Sequence, residues 1–120
     1  MKKADLSKVL NYLNKVFCDN RIKYRIIFPS KIINPKRKDK GTTYGYYRVK
    51  DKTIAILKDT PMIDQLDTLI HEFTHAYQHQ VLGQKLNHNK KGGELMKKFT
   101  KEIDKILKIS VKKVRRYINH

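Results

Sequence analysis

A His-Glu pair followed one helical turn later by a second histidine is the most chemically specific pattern in the chain. Residues 71–75 read His-Glu-Phe-Thr-His. On an α-helix, positions i and i+4 project from one face about 40° apart, so His71 and His75 can reach the same metal ion. Glu72 is rotated from His71 by about 100° and can act on a water molecule beside the metal instead of ligating it. The pattern predicts a zinc site in which His71 and His75 are ligands and Glu72 is the catalytic base.

Two helical histidines leave a catalytic zinc site incomplete, because such sites use three protein ligands and one open position. The downstream candidates for the third ligand are His79, His88, Glu94, Asp104 and His120. We prefer His88, since it follows a turn at Gly83 where the chain can double back across the helix. Glu94 is the second candidate, because sites with two histidines and one glutamate are also common. His79 lies a further turn along the helix, too far along its axis for one ion to hold all three side chains. We expect it on the surface or beside the ligands.

The motif lies in the middle of a long predicted helix with clear start and stop signals. Asp59 or Thr60 can cap its start, and Pro61 suits its first position. Gly83 is a natural stop just beyond its predicted end near Leu82. The apolar residues of the helix form a stripe made of Ile63, Leu66, Ile70, Phe73, Tyr77 and Val81. The two histidines fall nearly opposite the centre of this stripe. We therefore expect one face to pack in the core and the other to present the imidazoles to a site.

The remaining chain predicts a small α+β domain around this helix. Its 120 residues, 39% of them hydrophobic, suffice for one modest core and for a single domain spanning residues 1–120. The apolar spacing predicts a helix over residues 5–18, and period-two alternation predicts a strand over 22–28. Residues 44–50 and 53–57 are predicted to form two strands of a hairpin. A last helix is predicted from about 94 to 118. The expected arrangement is a short antiparallel sheet packed on helices.

The charge of the chain favours polyanionic partners. There are 28 Lys+Arg residues against 11 Asp+Glu, a formal net charge of +17, which points first to nucleic acid. The residues expected to contact phosphates are Lys36, Arg37, Lys38, Lys97, Lys101, Lys105, Lys108, Lys112 and Arg115. The alternative interpretation is a lysine-rich surface that is merely solvated.

Cysteine usage and hydropathy limit the compartment and the class of protein. The single cysteine, Cys18, argues against an internal disulfide framework and a cysteine-rich zinc ribbon. No apolar run approaches the length of a membrane span, and no secretory signal precedes the first predicted helix. We expect a cytoplasmic or nucleoid-associated protein that does not act at a membrane.

These features together resemble the SprT-like zinc metallopeptidase family, which includes the spartan-type proteases. The resemblance covers most of the chain. It includes the strand residues 54–57 leading into the helix, residues 68–76 close to the signature helix, Gly83, and a histidine at a similar spacing, His88. An aromatic residue in the following helix, Phe99, matches approximately.

The resemblance implies a zincin-like fold, in which the small sheet packs on the motif helix between N-terminal and C-terminal helices. It implies zinc ligation by His71, His75 and His88, with Glu72 as the catalytic base. It also implies a protease acting on DNA-associated or DNA-crosslinked proteins. The chain departs from the family after His88, where residues 89–95 read as a small insertion. A second alignment would place Lys91 at the ligand position, which a lysine fills poorly.

Two further interpretations remain open on the sequence. The first is a nucleic-acid-binding protein with a structural or vestigial zinc site and no protease activity. The intact Glu72 counts against it, because a structural zinc site needs no base. The second is a membrane-surface protein with a basic amphipathic last helix, whose apolar face is however needed for the core. For the protease, a strand around residues 44–47 could align an extended substrate, although sheet packing is the preferred interpretation of its tyrosines.

Overall fold

The computed structural model describes residues 3–32, 44–84 and 90–107. The elements in this part of the chain are α1 (Lys3–Cys18), β1 (Arg25–Ile27), β2 (Gly45–Arg48), β3 (Thr53–Ile56), α2 (Met62–Gln80) and α3 (Lys90–Leu107). The predicted α+β class and the order of elements are confirmed. No helix in the described ranges combines the length and the apolarity needed to cross a bilayer.

The sheet is mixed, so the prediction of an antiparallel sheet is wrong for one of its two strand pairs. Its strand order is β1-β3-β2. The predicted hairpin of β2 and β3 is present and antiparallel, with Tyr47 opposite Ile54. In contrast, β1 runs parallel to β3, with Ile26 opposite Ile54. Alternating apolar and polar residues identify a strand but not its partner. The long connection after β1 carries the chain from one edge of the sheet to the other, which leaves room for β3 between them.

The core forms around α2, which packs against α1, α3 and the sheet. Its apolar stripe is buried as predicted: Leu66, Ile70 and Phe73 are at most 1% exposed. The Phe73 ring meets the ring of Phe99 from α3 edge to face, with centroids 5.0 Å apart. This T-shaped contact is a favourable aromatic geometry. The helix is therefore anchored on its apolar side by neighbours from both ends of the chain.

The opposite side of α2 is also buried, which its polar sequence did not predict. The buried polar residues of this helix are Gln65, Asp67, Thr68, Glu72, Thr74, His75 and Gln78. Strand β2 lies along this side. An amphipathic pattern shows which face enters the apolar core, but not whether a second element covers the polar face.

The ends of the helices differ in detail from the predicted ones. Pro61 occupies the N-cap position of α2, and no side chain caps the first turn. The hydroxyl of Thr60 instead donates to the carbonyl of Leu57 at 3.2 Å. At the other end, Gly83 adopts the left-handed φ of 63° expected of a helix stop. The last helix, α3, begins at Lys90, earlier than the predicted start at Glu94. Residues after 107, including the predicted helix end near 118, lie outside the described part.

Strand β2 approaches α2 closely at Gly45. A Cβ atom at this position would lie 2.3 Å from the Thr68 Cγ2 atom and 2.5 Å from the Ala55 carbonyl oxygen. Both distances are far shorter than a van der Waals contact, and the Ala55 oxygen belongs to the backbone of the central strand. Only glycine therefore allows β2 to sit at this distance from α2 and β3 at once.

We predict that Gly45→Ala destabilises the protein by about 1–3 kcal/mol, the usual cost of overpacking a rigid site. Urea unfolding followed by circular dichroism measures the change. Gly93→Ala is the matched control, because a Cβ at Gly93 in α3 would meet nothing within 4 Å. It should stabilise by about 0.5–1 kcal/mol through helix propensity. Equal stability of Gly45→Ala and wild type would contradict the close approach.

Candidate metal centre

The side chains of His71, Glu72 and His75 converge on one side of α2. Each offers one ligand atom, and these three atoms lie within 4.8 Å of one another. The Nε2 atoms of the two histidines are 3.1 Å apart. Their rings are nearly perpendicular, with an angle of 83° between the planes. The structure thus brings together the two predicted helical ligands and the predicted base.

The spacing of the two imidazoles fits a zinc ion. Two nitrogens bound to zinc at about 2.0–2.1 Å in a tetrahedron are about 3.3 Å apart. The observed 3.1 Å separation of the Nε2 atoms is close to this expected distance between two nitrogen ligands. The donor set of two imidazoles with a neighbouring carboxylate is also one that zinc prefers. The geometry is therefore compatible with zinc held by His71 and His75 through Nε2.

Gln78 fixes the tautomer that metal binding needs at His75. The Nδ1 atom of His75 lies 3.0 Å from the Gln78 side-chain oxygen. An amide oxygen only accepts, so Nδ1 carries the proton and a neutral ring keeps the lone pair on Nε2. Both side chains are buried, with Gln78 only 1% exposed, so water competes little for this bond. Such an outer partner orients a ligand and increases its basicity.

The carboxyl group of Glu72 lies in an environment that suits a base. Its side chain is 7% exposed, and burial raises its pKa to about 8, since the charged form loses hydration. A hydrogen bond from the backbone N–H of Tyr47 acts in the opposite direction and lowers this pKa. A dication bound to the adjacent imidazoles would lower it further by Coulomb attraction. The group is thus placed near the pKa range in which general bases work at neutral pH.

The outer edge of β2 faces this carboxyl group. Residues of an antiparallel strand alternate between pointing their backbone groups at the partner and pointing them away. The N–H of Leu57 donates to the carbonyl of Tyr44 at 2.8 Å, so Tyr44 faces β3. By this alternation Gly45 and Tyr47 turn their backbone groups to the other side. The N–H of Tyr47 accordingly reaches Glu72.

The other candidate ligands are not part of this cluster. His88, the preferred third ligand, and His120 lie outside the described residues. Within the described ranges, Glu94 and Asp104 do not join the group formed by the two histidines and Glu72. The Glu94 side chain is exposed near the start of α3. His79 contacts the Tyr47 hydroxyl through Nδ1 at 2.9 Å. His79 is half-buried at this position.

Two residues of the site were not found from the sequence. Gln78 could have been found, because it lies three positions after His75 and therefore on the same face of the helix. Tyr47 could not, because its role depends on a backbone N–H, which every non-proline residue has, and on the pairing of β2. Only the three-dimensional arrangement of strand and helix identifies it.

The basic residues are only partly described. Lys97, Lys101 and Lys105 are exposed and spaced four apart on α3, so they form one positively charged helix face. The opposite face of α3 is buried through Met96, Phe99, Thr100 and Ile103. The other predicted phosphate contacts, Lys36, Arg37, Lys38, Lys108, Lys112 and Arg115, lie outside the described residues.

We predict that Gln78→Leu weakens zinc binding about 10- to 100-fold, as loss of an outer hydrogen-bond partner usually does. The Nδ1 proton of His75 would lose its acceptor, so the ring would no longer be held in the binding tautomer. Competition with a zinc chelator measures the affinity. Gln65→Leu is the control, since Gln65 is also a buried glutamine of α2 but bonds the Leu57 carbonyl. Equal affinities of Gln78→Leu and Gln65→Leu would count against this role.

Comparisons with known proteins assign no family to the chain. No protein-family model matches the chain, and neither a curated protein nor a solved structure matches it.

Proposed function

We propose that this protein is a zinc-dependent metallopeptidase of the SprT-like type. The observation that carries the proposal is the convergence of His71, Glu72 and His75, with the two Nε2 atoms 3.1 Å apart beside a buried carboxyl group. A structural zinc site needs ligands but no base. The buried Glu72 next to two oriented imidazoles therefore favours hydrolysis over a purely structural site.

The chain supplies the acid–base part of peptide hydrolysis through Glu72. Zinc, when bound, supplies Lewis-acid polarisation of the scissile carbonyl and acidifies water. The Glu72 carboxylate accepts a proton from the water whose oxygen attacks the carbonyl carbon. It then donates this proton to the amide nitrogen as the C–N bond breaks, which releases a neutral amine. His88 is proposed as the third ligand, with Glu94 as the alternative.

Strand β2 is proposed to align the substrate. Its edge away from β3 runs past Glu72 and carries the outward-facing backbone groups of Gly45 and the carbonyl of Tyr47, whose N–H is bonded to Glu72. An extended peptide can add to such an edge through main-chain hydrogen bonds. A substrate held there would pass the Glu72 carboxylate with its backbone extended, which is the conformation that endopeptidase cleavage requires.

The protein substrates are proposed to be DNA-associated or DNA-crosslinked proteins. Support comes from the net charge of +17 and from the exposed Lys97, Lys101 and Lys105 on one face of α3. Lysines arranged in this way bind phosphates without reading base sequence. The cytoplasm or nucleoid would be the place of action. The same net positive charge supports the second candidate function, which is nucleic-acid binding without cleavage.

Replacement of Glu72 by glutamine tests the proposed reaction. We predict that Glu72→Gln lowers kcat/KM by at least about 100-fold in a fluorogenic peptide assay, because an amide cannot accept the proton. Native mass spectrometry should still find zinc in the variant, since both imidazoles remain. Glu102→Gln is the control and should cleave normally, because this half-buried carboxylate of α3 bonds the Tyr12 hydroxyl and is not part of the cluster.

The same mass measurement distinguishes the proposed ligands and the rival function. His88→Ala should lose zinc and Glu94→Ala should keep it; the reverse result would assign the third position to Glu94. Wild-type protein that binds no zinc even after supplementation would refute the metallopeptidase. Wild-type protein that binds zinc but cleaves no peptide, with or without DNA, would favour nucleic-acid binding alone.

The proposed DNA contact has its own electrostatic test. Binding to a short duplex should weaken steeply as salt rises from about 50 to 200 mM, because neutralised phosphates release counterions. The triple variant Lys97→Gln, Lys101→Gln, Lys105→Gln should flatten the slope of log affinity against log salt by up to about three. Lys8→Gln on α1 serves as the single-charge control. A wild-type affinity that does not change with salt would contradict the phosphate contacts.

A further inference from the structure

The phenol of Tyr47 is bound at the C-terminal end of α2 by two consecutive residues. Its hydroxyl lies 2.9 Å from His79 Nδ1 and accepts a hydrogen bond of 2.9 Å from Gln80 Nε2. The rings of Tyr47 and His79 are also in contact, with centroids 5.8 Å apart. Tyr47 is only 6% exposed, so these bonds form where water competes little.

Gln80 is itself held by the backbone ahead of β1. The N–H of Lys23 donates to the Gln80 side-chain oxygen at 2.8 Å, and Gln80 Nε2 donates to the Lys23 carbonyl at 2.6 Å. These two hydrogen bonds identify Nε2 of the Gln80 side chain as the donor and its oxygen as the acceptor. Because Gln80 donates to the Tyr47 hydroxyl, the single hydroxyl proton is available for Nδ1 of His79. The Tyr47 hydroxyl is therefore fixed in direction as well as in place.

The backbone of the same tyrosine contacts the proposed base. Its N–H donates to the Glu72 carboxyl group, seven residues before His79 on α2. Seven residues are about two turns and about 10 Å of helix, and positions i and i+7 lie on one face. Tyr47 thus spans two turns of α2, with its amide at one end and its hydroxyl at the other.

We propose that Tyr47, His79 and Gln80 form a clasp that holds β2 at a fixed position along α2 and thereby positions the Glu72 carboxyl group. His79 and Gln80 are positioning residues that act through Tyr47 and touch neither metal nor substrate. The catalytic consequence of the clasp rests on the proposed peptidase function, whereas its effect on the hydrogen bond of Tyr47 to Glu72 does not.

The clasp can affect the reaction rate because a general base works only in a narrow range of positions. A misplacement of about 1 Å can cost about 100-fold in rate. The side chain of Glu72 has three rotatable bonds, and the Tyr47 N–H holds its carboxyl end. This N–H is on an edge strand of only four residues, Gly45–Arg48. Such a strand needs an anchor to the helix, and the phenol of Tyr47 supplies one.

Amide hydrogen exchange measured by NMR tests the clasp without any need for activity. In Tyr47→Phe and in His79→Ala, the amide of residue 47 should exchange about five to ten times faster, because the bond to Glu72 opens more often. The Leu57 amide, which bonds Tyr44 across the hairpin, should be unchanged. His79→Gln, which offers an oxygen acceptor to the phenol, should restore slow exchange at residue 47.

The matched control is Tyr24→Phe. It removes a tyrosine hydroxyl that bonds the Asn11 side chain, away from Glu72, and should leave the residue 47 amide unchanged. Unaltered exchange of residue 47 in Tyr47→Phe and His79→Ala would overturn the clasp. So would faster exchange at residue 47 and Leu57 together, since that is general destabilisation.

Kinetics then test the positioning role. With zinc content equal to wild type, Tyr47→Phe should lower kcat about tenfold and leave KM within about twofold, because the base is displaced while the hairpin bonds that hold the β2 edge on β3, such as Leu57 to Tyr44, remain. Tyr24→Phe should change neither constant. Faster exchange at residue 47 with an unchanged kcat would overturn positioning. If the wild type cleaves no peptide, the proposed function fails, and the exchange result still decides whether the clasp exists.

Discussion

The hydrogen bond between the Tyr47 N–H and the Glu72 carboxyl group is the contact on which the arrangement of the site depends. A carboxyl group that is 7% exposed must have a partner, because a buried polar group without one is costly. The partner comes from an edge strand, so β2 has to lie close along α2. Gly45 permits that approach, since any side chain would meet Thr68 and the backbone of β3. The close packing of β2 on α2 and the hydrogen bond that holds the Glu72 carboxyl group therefore depend on each other.

A second consequence of this constraint is that α2 is enclosed on both its apolar and its polar side. The apolar side is held by aromatic contacts such as Phe73 with Phe99, and the polar side by the hydrogen bond of Tyr47 with His79. Within the helix, the Gln78 side chain bonds His75. A low-dielectric surrounding strengthens each of these bonds and makes a missing partner expensive. Rigid histidines are what a metal site needs, because ligands that are already in place lose little freedom on binding.

The sequence predicted what depends on local spacing and failed where distant segments meet. The i, i+4 spacing of His71 and His75 and the hairpin after Arg48 are local, and both are found in the structure. The parallel pairing of β1 with β3 is not local, and no residue in β1 encodes which strand it joins. The burial of the polar side of α2 depends on β2 lying across it. Tyr47 contributes a main-chain donor, so its side-chain type gave no sign of contact with Glu72.

The order of the strands in the sheet has a consequence for how the protein is made. The site residues from Tyr47 to Gln80 belong to one continuous stretch of hairpin and helix, so a contact such as that of Tyr47 with His79, 32 positions apart, can form once this stretch has left the ribosome. By contrast, β1 is synthesised first but can pair only after β3, the central strand, has left the ribosome. The first strand of the nascent chain must wait for the third. In this protein one continuous stretch carries the proposed site, and the N-terminal half completes the sheet around it.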